Sequence, residues 1–127
     1  MTFLLDTTVL IDFLRGSRDR RALLSELVRA GHTLATCAIN IGEIYSGMRP
    51  SEEQATSDFI SNFDCYPVTL DIAKRAGLLK YAAVRRGKTL TLADMMVAAT
   101  ALEHDLVLMT DNRKDFPLSE LTLYPLP

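Results

Sequence analysis

Short apolar runs alternate with longer segments of helical periodicity, and this alternation constrains the fold more than any other feature of the chain. The runs predict strands at 3–6 (FLLD), 33–39 (TLATCAI), 66–70 (YPVTL) and 106–110 (LVLMT), and 121–126 (LTLYPL) is a candidate edge strand. Short apolar strands that are joined by helices are typical of a parallel sheet covered on both faces. We therefore predict an α/β domain.

The segments between the strands place apolar residues at helical spacing. Helices are predicted at 9–16, 20–30, 40–48, 51–63, 71–86 and 92–102. Thr7 or Thr8 is expected to cap the first helix, and Gly31 and Gly87 are expected to end the second and the fifth in a left-handed conformation. The last helix is apolar on nearly every side, so we expect it to be buried.

The size and composition of the chain indicate one domain, spanning residues 1–127. The chain has 127 residues, of which 48% are hydrophobic, and this is enough for a core without further staples. Cys37 and Cys65 lie in or beside apolar runs and are expected to be reduced core thiols, which favours the cytoplasm. Asp6 and Asp12 interrupt the apolar N-terminus, so we expect neither a signal peptide nor a membrane span.

The distribution of charge bears on the partners of the chain. A net charge of −2 argues against a protein that binds nucleic acid by a general basic excess. Five of the fourteen Lys and Arg residues nevertheless lie within 15–29, and six lie within 74–88. Such clusters are more often solvated helix faces than binding surfaces, and both interpretations are open at this point.

Four acidic residues occupy positions where the chemistry of a parallel sheet gathers. Asp6 closes the first predicted strand and Asp111 follows the fourth, so both can approach a crevice at the carboxyl ends of the strands. Glu43 and Asp94 instead lie at the starts of helices. Either of these two acids alone is explained by a capping box, in which an acid at the third helical position bonds back to the backbone.

Two explanations are open for the acids that begin helices. The capping partners would be Asn40 for Glu43 and Thr91 for Asp94. Against capping alone, an apolar helix would draw Asp94 into a partly dry site, while Glu43 points away from the apolar stripe of its own helix. Carboxylates that converge in one crevice repel each other unless a cation joins them. Oxygen ligands suit Mg²⁺ or Mn²⁺, which can activate water and neutralise phosphoryl charge.

Other kinds of site find little support in the sequence. His32 and His104 are isolated from each other, and neither cysteine belongs to a metal-binding spacing. The chain contains no G-x-S-x-G elbow, no P-loop and no G-x-G-x-x-G motif. The acidic residues are therefore the main candidates for chemistry.

Four segments together resemble the landmarks of PIN domains, and of VapC-type toxin ribonucleases in particular. In chain order they are LLDTTVLIDFL, INIGEIYSGM, LTLADMMVAATAL and LVLMTDNRKDF, between Leu4 and Phe116. The resemblance implies a parallel sheet in the order 3-2-1-4-5 and cleavage of RNA that depends on Mg²⁺ or Mn²⁺. It also implies a homodimer and a cognate VapB-like antitoxin that blocks the site.

The resemblance also assigns candidate site residues. Asp6, Glu43 and Asp94 match the first three acids of the family and are its implied metal ligands, with Glu43 the more distant. Thr7 or Thr8 and Thr110 match positions of small hydroxyl side chains. For the fourth acid the segment TDNRKDF offers three candidates, and Asn112 and Asp115 rank above Asp111.

Two alternatives compete with a metal-dependent ribonuclease. A phosphatase of the haloacid-dehalogenase type also begins with an apolar strand and an acid, but it requires a second acid where this chain has Thr8. A PIN-like module that has lost catalysis would bind RNA or a partner only, and the three principal acids speak against it. The basic residues within 15–21 and 85–88 are candidates for holding the RNA.

Overall fold

A four-stranded parallel sheet forms the centre of the molecule in the computed structural model, which describes all residues from Met1 to Pro127. The strands are β1 (Thr2–Leu5), β2 (Thr33–Cys37), β3 (Asp64–Tyr66) and β4 (Val107–Met109). They lie in the order β3-β2-β1-β4, and every neighbouring pair is parallel. Leu4 is paired with Ala35 on one side and with Leu108 on the other. The predicted α/β architecture is confirmed.

The expected order 3-2-1-4-5 is correct for four strands and wrong for the fifth. The third strand shares only Tyr66 with the predicted run 66–70, because Pro67 follows it. In place of the predicted edge strand, a single parallel bridge joins Leu108 to Leu123. The Leu108 N–H donates to the Thr122 carbonyl at 2.9 Å, and the Tyr124 N–H donates to the Leu108 carbonyl at 2.8 Å. The next N–H that could bond to β4 is that of Leu126, but it donates back to the Tyr124 carbonyl at 3.0 Å, so the pairing ends there.

Six α-helices connect the strands. They are α1 (Thr7–Arg15), α2 (Arg20–Arg29), α3 (Ala38–Gly47), α4 (Glu53–Ile60), α5 (Leu70–Arg85) and α6 (Leu92–Glu103), with 3₁₀ turns at Pro50–Glu52 and Arg113–Asp115. Gly31 and Gly87 have φ angles of 93° and 77°, as predicted for the ends of α2 and α5. The helix predicted at 51–63 is shorter, because the fixed φ of Pro50 starts a 3₁₀ turn before α4. None of the helices combines the length and the apolar character that crossing a membrane requires.

Two predicted helix starts are wrong. The N-cap of α1 is Asp6, whose carboxylate accepts a hydrogen bond from the Thr7 N–H at 2.9 Å, and not Thr7 or Thr8. Helix α3 begins at Ala38, directly after β2, so Asn40 lies within the helix and is buried. Asn40 is therefore not a cap, and the predicted capping box with the acid three residues later does not form.

Helices cover both faces of the sheet, as predicted. The alternation of side chains along β1 divides the core, since Leu4 packs in one apolar cluster while Phe3 and Leu5 pack in the other. The first cluster includes residues of α5 and α6, and the second includes residues of α1, α2 and α3. Helix α6 is buried as expected, with six buried residues: Met95, Val97, Ala98, Ala99, Thr100 and Ala101.

The two cysteines lie in different environments. Cys37 is buried at the end of β2, as predicted, whereas Cys65 is exposed, and both thiols are free. The prediction that Cys65 is a core thiol is wrong because β3 is a short strand at the edge of the sheet.

A buried ion pair fastens the segment after β4 to the start of α2. Arg20 is only 1% exposed, and its Nη2 donates to Asp111 Oδ1 at 2.7 Å. Arg18 Nη1 lies 3.4 Å from the same oxygen. The buried Arg20 Nε and Asp111 Oδ2 have no hydrogen-bond partner. Removing one partner of such a pair leaves the other charge uncompensated, so the pair is sensitive to substitution.

We predict that Arg20→Met lowers the free energy of unfolding by about 3 kcal/mol, because Asp111 loses its buried partner. Urea denaturation at pH 7 measures this change. The matched control is Arg75→Met, which removes the exposed pair between Arg75 and Glu103 at 3.0 Å. That control is expected to cost less than about 1 kcal/mol. Equal losses for the two substitutions would contradict the structural role of Arg20.

Candidate active site

Asp6 lies at the carboxyl end of the central strand and is the most buried acid of the candidate site, with 6% of its surface exposed. Three donors surround its carboxylate. The Thr7 N–H donates to Oδ1 at 2.9 Å, the Asn40 amide donates to Oδ1 at 3.2 Å, and the Thr110 hydroxyl donates to Oδ2 at 2.9 Å. These bonds bring α1, α3 and the end of β4 to one point.

The environment of Asp6 raises the pKa of its carboxyl above the ordinary value of 3.8. Burial is the largest cause, and the negative charge of Glu43 adds to it. The hydrogen bonds from Thr110, Thr7 and Asn40 act in the opposite direction without cancelling the shift. The ionised form of Asp6 is therefore held in place but remains short of positive charge.

Glu43 reaches the site from α3 and is exposed. Its Oε1 accepts a hydrogen bond from the Thr7 hydroxyl at 2.7 Å, and the Asn40 amide donates to the same hydroxyl at 3.0 Å. Of the two threonines that the sequence offered for a hydroxyl beside the acids, Thr7 is the one that contacts Glu43. Asn40 is a site residue that the sequence reasoning missed, although its place one helical turn before Glu43 was a usable signal.

Asp94 is the third residue of α6 and is half-buried. Its backbone N–H donates to the Thr91 hydroxyl at 3.1 Å, so the Thr91 cap exists as predicted. Burial raises the pKa of the Asp94 carboxyl, a hydrogen bond with Thr91 lowers it, and the charges of Asp6 and Asp115 raise it further. The two explanations that the sequence left open for Asp94 therefore both apply. The Thr91 cap holds Asp94 at the start of α6, where its carboxylate lies near other acids.

The three candidates for the fourth acid lie in the segment after β4 and have different contacts there. Asp111 is paired with Arg20, as described above. Asn112 is half-buried, and its backbone N–H donates to the Thr110 hydroxyl at 3.0 Å. Asp115 lies in the 3₁₀ turn, close enough for its charge to raise the pKa of Asp94. The structure thus places Asp115 near Asp94, whereas Asp111 is engaged in ion pairs with Arg18 and Arg20.

Four carboxylates, those of Asp6, Glu43, Asp94 and Asp115, therefore lie at one end of the sheet, and none of the ion pairs in the structure involves them. Their oxygen atoms form the donor set that a hard divalent cation prefers. The buried Asn40 Oδ1 also lacks a partner beside Asp6. As they stand, no three acidic, histidine or cysteine side chains are close enough to enclose a metal ion. The chemistry of the donor set fits such an ion, and the separation of the acids leaves the site open.

Comparison with known proteins places the chain in a family. The model of the PIN domain family matches residues 3–118. The chain is 37% identical over 117 residues to Ribonuclease VapC19 of Mycobacterium tuberculosis, which covers 91% of this chain and 92% of that protein. Both the extent and the level of this identity are sufficient to establish kinship.

Solved structures give the same result for the fold. A toxin-antitoxin complex from Klebsiella pneumoniae contains a chain that is 30% identical, with a TM-score of 0.78 and 94% of both chains covered. The structure of VapBC2 from Rickettsia felis, bound to a DNA fragment from its promoter, contains a chain with a TM-score of 0.84 at 20% identity, and 98% of both chains is covered. The protein belongs to the PIN-domain family, within which it is a relative of the VapC ribonucleases.

Proposed function

We propose that this protein is an endoribonuclease that hydrolyses RNA phosphodiesters with the help of Mg²⁺ or Mn²⁺. The observation that carries the proposal is the meeting of Asp6, Glu43, Asp94 and Asp115 at the carboxyl end of a parallel sheet, without a basic side chain to neutralise them. The name of the relative, Ribonuclease VapC19, supports RNA as the substrate.

Asp6, Glu43 and Asp94 are the residues proposed to hold the ion. A divalent ion so bound lowers the pKa of water and stabilises charge on a phosphoryl group. The chain contributes the positions of the ligands. Three donors orient the Asp6 carboxylate, the Thr7 hydroxyl holds Glu43 at 2.7 Å, and the N-terminus of α6 fixes Asp94.

Asp115 and Asn112 are proposed to complete the site from the segment after β4. Asp115 adds a fourth negative charge beside Asp94, which strengthens the attraction for a cation at that point. Thr110 connects the two sides of the site, since its hydroxyl donates to Asp6 at 2.9 Å and accepts from the Asn112 N–H at 3.0 Å. A shift of this segment would therefore be transmitted to Asp6.

The protein is further proposed to act as the toxin of a VapBC-type pair, as a homodimer that a VapB-like antitoxin inhibits. The support is the likeness to chains in a toxin-antitoxin complex and in a VapBC complex. An uncompensated group of carboxylates is also a suitable target for a basic side chain of an inhibitor. Co-expression with the adjacent reading frame, followed by purification of a complex, tests this part independently of catalysis.

We predict that Asp94→Asn lowers the rate of RNA cleavage by about 10³-fold, because stabilisation of phosphoryl charge by an ion is worth several kcal/mol. Asparagine keeps the shape and the cap but removes the charge. The measurement is cleavage of bulk RNA with Mg²⁺, with and without a chelator.

The matched control for Asp94→Asn is Asp71→Asn. Asp71 also lies in the first turn of a helix that a threonine caps, but it is exposed and is outside the acid cluster. This variant is expected to cleave at the wild-type rate. Wild-type cleavage by Asp94→Asn would sink the proposed role of Asp94 in metal binding.

A second prediction concerns the stability of the metal-free protein. Because the folded state raises the pKa of Asp6 above 3.8, the folded state binds more protons than the unfolded state above that pH. Stability is therefore greatest at low pH with respect to this group, and it falls as pH rises through the raised pKa. Asp6→Asn is expected to remove this loss and to unfold at a higher temperature than the wild type at pH 7 in EDTA.

Thermal unfolding between pH 4 and pH 8, with EDTA or with excess Mg²⁺, measures both effects. Mg²⁺ is expected to raise the midpoint of the wild type, since a ligand of the folded state stabilises it, and to have less effect on Asp6→Asn. A less stable Asp6→Asn protein at pH 7 in EDTA would show that the hydrogen bonds of the carboxylate outweigh its burial.

A further inference from the structure

The two basic clusters of the sequence differ in their contacts, since three of the five cations of the first cluster are engaged within the fold. In the first cluster Arg20 and Arg18 contact Asp111, at 2.7 and 3.4 Å. Arg21 donates to the carbonyls of Phe13 and Leu14, at 2.8 and 2.7 Å, near the end of α1. These three cations are thus engaged with acids or carbonyls of the chain itself.

The second cluster has a different environment. Between Asp71 and Asp94 the chain has six Lys and Arg residues and no acid. Of these six cations only Arg75 forms an ion pair. Arg85, Arg86 and Lys88 are exposed and form no ion pair. They are cations without a counter-charge in a protein whose net charge is −2.

An aromatic side chain completes this surface. Tyr81 is 51% exposed, and the Arg85 guanidinium lies 5.6 Å from the centroid of its ring. The Arg85 Nη1 also donates to the Tyr81 hydroxyl at 3.1 Å, which orients the guanidinium. Cations combined with an exposed aromatic ring are typical of surfaces that bind single-stranded nucleic acid.

The end of α5 presents these side chains in a defined geometry. The Gly87 N–H donates to the Val84 carbonyl and the Lys88 N–H donates to the Ala83 carbonyl, both at 2.9 Å, which is a Schellman motif. Gly87 accommodates the left-handed conformation with a φ of 77°. The chain then runs directly to the start of α6. Lys88 is six residues before Asp94 and so lies within about 20 Å of it.

We propose that Tyr81, Arg85, Arg86 and Lys88 form a basic platform that binds the phosphate backbone of the RNA substrate and directs it to the acids. This proposal rests on the proposed function, because the basic platform would bind RNA for the same active site. A polyanion is repelled by four carboxylates, and free cations at the adjoining end of α5 oppose that repulsion. Charge complementarity favours RNA as the occupant, because every nucleotide carries a negative phosphate.

The test measures binding separately from cleavage. Asp94→Asn serves as the background, in EDTA, with a fluorescent single-stranded RNA of 12 nucleotides and salt from 50 to 200 mM. The platform variant adds Arg85→Gln, Arg86→Gln and Lys88→Gln. Each lost phosphate contact lowers the slope of log affinity against log salt by about 0.7 for a single strand. Over this range the background protein should lose about 20-fold more affinity than the platform variant.

A matched variant controls for the change in total charge. Arg29→Gln, Arg49→Gln and Lys74→Gln remove three other exposed cations that form no ion pair. This control should keep the affinity and the salt slope of the background protein. Thermal unfolding of both triple variants verifies that each is folded.

The outcomes separate the platform from the proposed function. Loss of affinity in the platform variant alone supports the platform, even if the wild type fails to cleave RNA and the proposed function falls. Equal losses of RNA affinity in both triple variants would show that only the total charge matters, and this result would overturn the platform. Unchanged binding in the platform variant would overturn it while cleavage by the wild type stands. The proposal would also be overturned if the platform variant lost a protein partner but kept its affinity for RNA. The surface would then be a protein contact.

Discussion

The buried carboxylate of Asp6 is the interaction on which the arrangement of the site depends. Its three donors come from the start of α1, from α3 and from the end of β4, and its own N–H donates to the Met109 carbonyl at 3.0 Å. Burying an ionised acid costs free energy unless donors or cations compensate. The donors compensate in part, and the raised pKa of Asp6 shows that a deficit remains. Because this deficit lies where strands and helices meet, the fold concentrates uncompensated negative charge at the end of the sheet.

Much of this arrangement could be predicted from the sequence, because local patterns determine it. Asp6 follows an apolar run, so it had to lie at the end of a strand, and in a parallel sheet that end is shared with the other strands. The apolar character of α6 predicted its burial, and Thr91 predicted its start. Together these two features placed Asp94 at the same edge. The sequence could not decide whether Asp94 belongs to a helix cap or to a group of acids, and the structure shows that both are true. Its N–H donates to the Thr91 cap, and its carboxylate lies near other acids.

Ambiguities and errors arose where a distant residue decides the outcome. The sequence ranked Asp115 above Asp111 without a physical reason, and Arg20, 91 residues away in the chain, distinguishes them by binding Asp111. The role of Asn40 depends likewise on Asp6, 34 residues earlier. The missing fifth strand is a local error of another kind. Apolar alternation favoured a strand at 121–126, but the Leu126 N–H donates back to the Tyr124 carbonyl and does not continue the ladder to β4.

The proposed functions of the site and of the platform follow from one segregation of charge. Arg20 occupies Asp111, so the acids at the end of the sheet stay without an internal cation, while Arg85, Arg86 and Lys88 stay without an acid. Had the two sets paired with each other, the surface would be nearly neutral and neither would attract a ligand. Attraction by exposed cations is screened within about 8 Å at physiological salt, whereas ligands around a partly buried ion are screened much less. On this assignment salt weakens the capture of RNA more than it weakens the step at the acids, so binding and cleavage depend on separate groups of residues in one small domain.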